Sequence, residues 1–165
     1  MNLELSGRTI VVTGGTSGIG LAAVQAFLAE GAFVAFCGRD GDRLDRVAAD
    51  LAGEYGAERL LARRCDVTVA AEVEAFAVAV AAWRGGLDVL VNNAGQGRVS
   101  TFAATTDADW RAELDLKFFS QILPIRAFRP MLETSPVAAI VAVNSLLAYQ
   151  PEPHMVCTSA ARAGV

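Results

Sequence analysis

Short apolar or β-branched segments alternate along this chain with longer segments that have helical periodicity. The short segments cover residues 9–13, 33–37, 60–65, 87–92 and 138–144. The helical segments lie near residues 18–30, 40–53, 69–83 and 107–133. This alternation is typical of β-α units stacked on a parallel sheet. It predicts an α/β fold with three layers, in which a doubly wound parallel sheet lies between two layers of helices.

Three of the predicted strands, at 9–13, 87–92 and 138–144, are apolar almost throughout rather than alternating. Strands covered by helices on both faces have this composition, so we expect these three to be central.

The predicted helices carry local signals for their ends. Gly31 follows the first helix, where a C-terminal glycine is common. Thr106 and Asp109 have the spacing of a capping box at the start of the fourth helix. Pro124 and Pro130 lie in the later half of that helix, where we expect a kink or an early end.

The composition excludes several classes of protein. The chain has 165 residues, 53% apolar and 19% charged, which fits one domain with its own core. Its net charge of −4 gives no electrostatic reason to expect a nucleic-acid or anionic-membrane partner. There is no secretory signal pattern and no apolar run of the ~20 residues that a membrane span needs. The three cysteines lack C-x-x-C spacing, so we expect free thiols in a reducing cytoplasm and no metal site.

The strongest local motif is TGGTSGIG, residues 13–20, between the first predicted strand and the first predicted helix. Glycines at Gly14, Gly18 and Gly20 let the backbone turn tightly and approach a pyrophosphate at the positive end of the helix. The residues between them, Thr16, Ser17 and Ile19, belong to the same predicted cofactor-binding loop.

A second motif, NNAG, ends the fourth predicted strand at residues 92–95. In an open parallel sheet, ligands bind outside the carboxyl ends of the strands. Polar Asn92 and Asn93, followed by small residues, therefore suit one side of a cofactor site.

Together with CDV at residues 65–67, these motifs resemble the short-chain dehydrogenase/reductase family over essentially the whole sequence. The resemblance implies a Rossmann-type fold, NAD(P)(H) and hydride transfer to or from a small carbonyl or alcohol. It implies that Asp66 and Val67 contact the adenine. The adenosine ribose would lie along Asn93, Ala94 and Gly95.

The resemblance also bears on chain length and assembly. It implies that residues 1–165 are one domain and form the N-terminal portion of a chain of about 250 residues. We therefore expect the fold of residues 1–165 to be incomplete at its C-terminus. The resemblance further implies a homodimer or homotetramer.

The stretch CGRD, residues 37–40, bears on the choice of cofactor. An acidic residue after the second strand binds a ribose 2′-hydroxyl, whereas a nearby arginine accommodates a 2′-phosphate. Gly38 occupies the acidic position and Arg39 follows it. This favours NADP(H) over NAD(H), although Ser17 stands where NADP-preferring relatives often have a basic residue.

The family's catalytic positions depart from the usual pattern. Ser145 matches the family serine, which donates to the substrate oxygen. The tyrosine position holds Thr158, the lysine position holds Arg162, and the helix asparagine position holds Lys117. A phenol has a pKa of ~10, which a neighbouring cation can lower towards neutrality. An aliphatic hydroxyl is too weak an acid to replace it, and an arginine cannot relay a proton as a lysine can.

Three residues could supply the missing proton. Lys117, the only lysine in the sequence, could be the acid or could polarise a water. His154 would share a helix face with Thr158 and Arg162 if the last helix began by residue 154, but the prolines before it favour a flanking position. Tyr149 is a phenol at the wrong spacing.

The first functional hypothesis is thus an oxidoreductase with an altered proton donor. In it Thr158 and Arg162 position the nicotinamide ribose or the substrate. The alternative is a non-catalytic NAD(P)-binding sensor or scaffold, and a third hypothesis is isomerisation or dehydration on the same fold.

Overall fold

The computed structural model of the chain describes residues 3–165. Within that range, five parallel strands form one sheet. They are β1 (Thr9–Thr13), β2 (Phe33–Gly38), β3 (Leu60–Arg64), β4 (Val89–Asn92) and β5 (Ala139–Ala142). Their order is β3-β2-β1-β4-β5, so the direction of winding reverses between β1 and β4.

The helices of the described residues connect these strands. They are α1 (Gly18–Ala29), α2 (Gly41–Tyr55), α3 (Ala70–Arg84), α4 (Asp107–Leu114), α5 (Ser120–Leu132) and α6 (Val156–Ala163). A π-helical turn, Asp115–Phe119, joins α4 to α5, and short 3₁₀ helices lie at Ala57–Arg59 and Leu146–Ala148. In residues 3–165 no helix combines the length and apolar composition that crossing a membrane requires.

The alternation of side chains along each strand divides the core in two. Val11 of β1 packs with the side chains of α3 and α5 on one face of the sheet. Ile10 and Val12 pack with α1 and α2 on the other face. The predicted three-layer α/β arrangement is therefore confirmed.

Strand β5 was predicted to be central, and within residues 3–165 it lies at one edge of the sheet. Its four residues are all exposed, with Ile140 48% and Val141 46% accessible. It pairs with β4 on one edge, and no other strand of residues 3–165 lies beyond it. An apolar run indicates that a strand is suited to burial, but it does not indicate which elements cover the strand.

The predicted helix signals were correct at two ends. Gly31 follows α1 with φ +88°, a conformation that favours glycine. Asp109 N–H donates to the Thr106 hydroxyl at 3.2 Å, and Thr106 N–H donates to the Asp109 carboxylate at 3.2 Å. This is the predicted capping box, with Asp in place of Glu.

The prediction of an early end at the prolines was wrong. Both Pro124 and Pro130 lie inside α5, which continues to Leu132. The irregularity lies upstream, where the wide π-helical turn ends at Phe119. In a regular helix the Pro124 ring would clash with the carbonyl of Ser120, the residue that follows this turn. The wide turn therefore lies directly before the site of that clash.

We expect Phe128→Ala to lower the free energy of unfolding by about 3–5 kcal/mol. Phe128 is fully buried on α5, and its ring lies edge-on to Phe76 of α3, with centroids 5.6 Å apart. Urea denaturation measures the change. Phe102→Ala is the matched control, because Phe102 is 79% exposed and its loss should change the free energy by less than about 0.5 kcal/mol.

Candidate functional site

The glycine-rich loop passes from the end of β1 into α1 and leaves no room for a side chain at Gly14 or Gly20. Gly14 has φ +67°, and a Cβ there would lie 2.8 Å from the Cα of Ala94. A Cβ on Gly20 would overlap the Gly14 carbonyl oxygen and the Asn93 amide nitrogen. The loop thus brings bare backbone and the N-terminus of α1 to the carboxyl edge of the sheet.

Asn93 joins this loop to the end of β4. Its amide Nδ2 donates to the carbonyl oxygens of Thr13 at 3.0 Å and Gly14 at 3.1 Å. In return, the Thr13 hydroxyl accepts from the backbone N–H groups of Asn93 at 3.0 Å and Ala94 at 3.1 Å. Asn92 has a different role, since its buried amide donates to the Gln121 carbonyl of α5.

A cleft of about 840 Å³ opens at this edge. The residues predicted to bind the cofactor all line it: Gly14, Thr16, Ser17, Gly18, Ile19, Gly20, Arg39, Asp66, Val67, Asn93, Ala94 and Gly95. The volume lies within the ~300–1,000 Å³ typical of ligand sites. The structure brings these residues together, and their contact with a cofactor stays a prediction.

The end of the cleft beside β2 and β3 is polar and charged. Asp66 accepts from the Thr68 backbone N–H at 3.0 Å and from its hydroxyl at 2.7 Å. The other Asp66 oxygen, Oδ2, lies 3.9 Å from Arg39 Nη1. Arg39 keeps more than half of its side chain exposed, so its guanidinium can meet a ligand.

Gly38 and Arg43 complete this end. A Cβ on Gly38 would lie 2.7 Å from Thr16 Cγ2, so the threonine fills the space that a side chain at position 38 would need. Arg43 lies in the first turn of α2 and lines the cleft, although sequence reasoning missed it. Its place one turn after Arg39 was the signal that could have found it.

Arg162 lies at the opposite end of the cleft, between the ends of β4 and β5. Its Nη1 donates to the Val143 carbonyl at 2.8 Å, and a Cβ on Gly95 would lie 3.4 Å from its Nη2. Its buried Nε has no hydrogen-bond partner in the described residues. Burial lowers the pKa of the Arg162 guanidinium, and the Glu113 carboxylate opposes that shift.

Lys117 and Thr158 are buried behind this end of the cleft rather than exposed in it. Lys117 lies on the π-helical turn, where its ammonium donates to the Gln96 carbonyl and lies 3.4 Å from Glu113 Oε2. The Thr158 hydroxyl donates to the same Glu113 oxygen at 2.7 Å. Burial lowers the pKa of Lys117, the Glu113 carboxylate opposes that shift, and the Arg162 charge adds to it.

Sequence reasoning missed Glu113 as well. It stands four residues before Lys117, the i, i+4 spacing of a helical Glu–Lys pair. That spacing was the available signal, but on most helices such a pair is exposed. Other cleft residues not predicted are Asp40, Cys65, Gln96, Gly97, Leu116, Val143 and Asn144.

The remaining predicted catalytic residue, Ser145, follows β5 and does not line the cleft. Its oxygen accepts from the Leu147 N–H at 3.3 Å, which leaves its own hydrogen free to donate. His154 is exposed and precedes α6, so it flanks the helix instead of sharing a face with Thr158. Tyr149 is 88% exposed.

An open parallel sheet whose order reverses between β1 and β4, with a glycine loop and a helix N-terminus at that point, defines a dinucleotide-binding protein of the Rossmann type. The short chain dehydrogenase family model matches residues 8–165. The chain therefore belongs to the short-chain dehydrogenase/reductase family.

Individual relatives agree with this assignment. D-threitol dehydrogenase of Mycolicibacterium smegmatis is 36% identical, with 90% of this chain and 60% of that protein covered. An NADPH-bound short chain oxidoreductase from Pseudomonas aeruginosa PAO1, described as containing an atypical catalytic center, is 60% identical with TM-score 0.92. That match covers 95% of this chain and 61% of the other.

A third relative is L-sorbose reductase from Gluconobacter frateurii, solved with NADPH and L-sorbose. It is 33% identical with TM-score 0.93, and the match covers 99% of this chain and 62% of that one. The chain thus spans about 60% of the length of the relatives it matches.

Gly20→Ala should destabilise the protein by about 1–3 kcal/mol, because the added methyl group overlaps the Gly14 carbonyl. Gly53→Ala is the matched control within a helix. Nothing lies within 4 Å of a Cβ at Gly53, so alanine should stabilise α2 by about 0.5–1 kcal/mol. Urea unfolding of both variants measures the difference, and a Gly20→Ala chain as stable as the parent would contradict the close approach described above.

Proposed function

We propose that this chain is the nucleotide-binding and catalytic part of an oxidoreductase that transfers a hydride between NAD(P)(H) and a small carbonyl or alcohol. The observation that carries the proposal is the cleft, which runs from the glycine loop to Arg162 along the carboxyl ends of the strands. The family assignment supports it, as do relatives named as a dehydrogenase and a reductase.

The residues of the cleft fit a dinucleotide. The bare backbone at Gly14 and Gly20 and the first turn of α1 suit a pyrophosphate, since no side chain blocks the approach. The Ser17 hydroxyl caps no backbone N–H of α1 and is free to donate to a phosphate. Ile19, 70% exposed on the cleft wall, offers an apolar surface to a flat ring.

NADP(H) is the favoured cofactor. Thr16 occupies the space beside Gly38, so an acidic side chain that would bind a 2′-hydroxyl has no room there. Arg39 and Arg43 both line the cleft near Asp66, where the adenosine would lie. A 2′-phosphate between two guanidinium groups accepts charge-assisted hydrogen bonds. NADPH in two structural neighbours agrees with this choice.

Arg39→Ala should weaken NADPH binding about 10–100-fold, the equivalent of losing about 1.5–3 kcal/mol of charged hydrogen bonding. NADH binding should change little, because NADH has no 2′-phosphate. Fluorescence titration gives both dissociation constants. Arg46→Ala, an exposed arginine on α2 outside the cleft, controls for the loss of charge. Equal weakening of NADPH and NADH would contradict the assignment.

Bound nicotinamide supplies or accepts the hydride, and the protein must supply the charge and the proton. Arg162 of α6 lines the cleft near the end of β5 and holds the nicotinamide ribose or the substrate through the part of its guanidinium that faces the cleft. Ser145 donates its hydroxyl hydrogen to the substrate oxygen. Lys117 acts from behind the Gly95–Gly97 backbone, where its ammonium stabilises negative charge on that oxygen or polarises a water.

Thr158 has a different role from the one that its position in the sequence indicated. Its hydroxyl donates to Glu113 and is 2% exposed, so it orients the buried carboxylate and does not hold the ribose itself.

Lys117→Met should lower the rate of carbonyl reduction about 10²–10⁴-fold, since it removes the charge that acts on the substrate oxygen. Ser145→Ala should lower it as well. Transfer of deuterium from 4-deuterated NADPH to a panel of ketones and aldehydes measures the reaction. Arg111→Met, an exposed cation on α4, should leave the rate unchanged. Unchanged rates in both Lys117→Met and Ser145→Ala would overturn these roles.

A non-catalytic NAD(P)-binding sensor or scaffold is the second candidate. The observation that favours it is that Lys117, Thr158 and Ser145 do not line the cleft and that neither tyrosine of the described residues lines it. Tight NADPH binding without deuterium transfer to any member of the panel would select this candidate over the first.

The proposal also covers the cellular compartment and the oligomeric state of the protein. The three cysteines are free and buried, which suits a reducing cytoplasm. The chain would act as a homodimer or homotetramer. The outward-facing Leu114 and Phe119, 40% and 42% exposed beside the π-helical turn, support an interface at that helix.

A further inference from the structure

Glu113 is a buried carboxylate that the family resemblance does not explain. It is 3% exposed on α4, whereas of the other acids of that helix Asp107 is exposed and Asp109 is half-buried. Carboxylates are almost never fully buried unless they are paired. The partners of Glu113 are therefore the first indication of its role.

One oxygen of Glu113 meets two other elements of the fold. Oε2 lies 3.4 Å from the Lys117 ammonium of the π-helical turn. It also accepts the Thr158 hydroxyl hydrogen of α6 at 2.7 Å. The carboxylate thus connects two of the positions at which this chain departs from the family pattern.

Glu113 supplies the negative charge that offsets the positive charges of Lys117 and its cationic neighbour. Arg162 of α6 is the other charged group that acts on Lys117, and it repels an ammonium. The Gln96 carbonyl accepts one hydrogen of Lys117 but carries no charge. Among the charged groups of residues 3–165 that act on Lys117, Glu113 is the one that favours the charged form.

We infer that Glu113 is a positioning residue that keeps Lys117 charged and fixed behind the cleft, with Thr158 orienting the carboxylate. Burial and the Arg162 charge both lower the pKa of Lys117, and the Glu113 carboxylate is what opposes them. Replacing it by a neutral group leaves a desolvated amine next to a guanidinium. The role of this charge in turnover rests on the proposed function, but the charge state itself does not.

The sequence offers a direct measurement, because Lys117 is its only lysine. Protein labelled with ¹³C,¹⁵N-lysine gives a single set of side-chain NMR signals, and a pH titration of the Cε resonance reports the pKa of that amine. Glu113→Gln preserves the size of the side chain and removes its charge. Loss of an opposite charge at this distance should move the midpoint down by about 1–3 pH units.

Asp115→Asn is the matched control. It removes one negative charge two residues from Lys117, but Asp115 is exposed and makes no ion pair with the lysine, so the midpoint should stay in place. A midpoint in Glu113→Gln that is unchanged, or higher than in the parent, overturns the inference.

Glu113→Asp serves if the glutamine variant does not fold. It keeps the charge but withdraws the oxygen by one methylene group, so the midpoint should fall by less and in the same direction, and an unchanged midpoint overturns the inference. In turnover, the alkaline limb of the rate profile for reduction should move to lower pH in Glu113→Gln. Absence of turnover in the parent would count against the proposed function alone, since the titration does not use the reaction.

Discussion

The hydrogen bonds between Asn93 and the backbone of residues 13 and 14 hold together the two strand ends between which the cleft opens. Parallel sheets wind in opposite directions on the two sides of such a junction, so the helices leave a gap above it. The Thr13 hydroxyl reinforces the same junction through two backbone N–H groups. These bonds place the glycine loop against the Asn93–Gly95 segment, and Gly14 and Gly20 are needed because the two backbones approach so closely.

Much of the fold followed from the sequence because its signals are local. The strand runs, the capping box at Thr106 and the glycine loop each depend on a few neighbouring residues, and each was confirmed. Strand β5 is exposed at the sheet edge of residues 3–165, because the burial of a strand depends on the elements packed against it and not on its own apolar residues alone. The early helix end predicted at the prolines was wrong, since α5 continues through Pro124 and Pro130 to Leu132 and the irregular turn lies before Ser120.

The candidate site divides in the same way. The residues predicted to bind the cofactor belong to short motifs, and the structure gathers all of them into one cleft. Glu113 was missed because its burial depends on a contact that spacing does not specify, whereas the position of Arg43 one turn after Arg39 was a signal that the sequence did contain. The sequence around Glu113 does not predict that its side chain is buried. The packing of α6 against α4 encloses the carboxylate together with Thr158.

The buried charges at the far end of the cleft do not sum to zero. Two cations, Lys117 and Arg162, lie there with one carboxylate, Glu113. A chain of net charge −4 thus holds a locally positive region at the point where a substrate oxygen would gain negative charge. Because Lys117 is buried, its fixed charge is shielded little by water and acts strongly on a developing oxyanion nearby. The threonine at the tyrosine position removes a proton donor but leaves the positive charge of Lys117 and Arg162. That charge supports the proposed carbonyl reduction over a purely structural role for these residues.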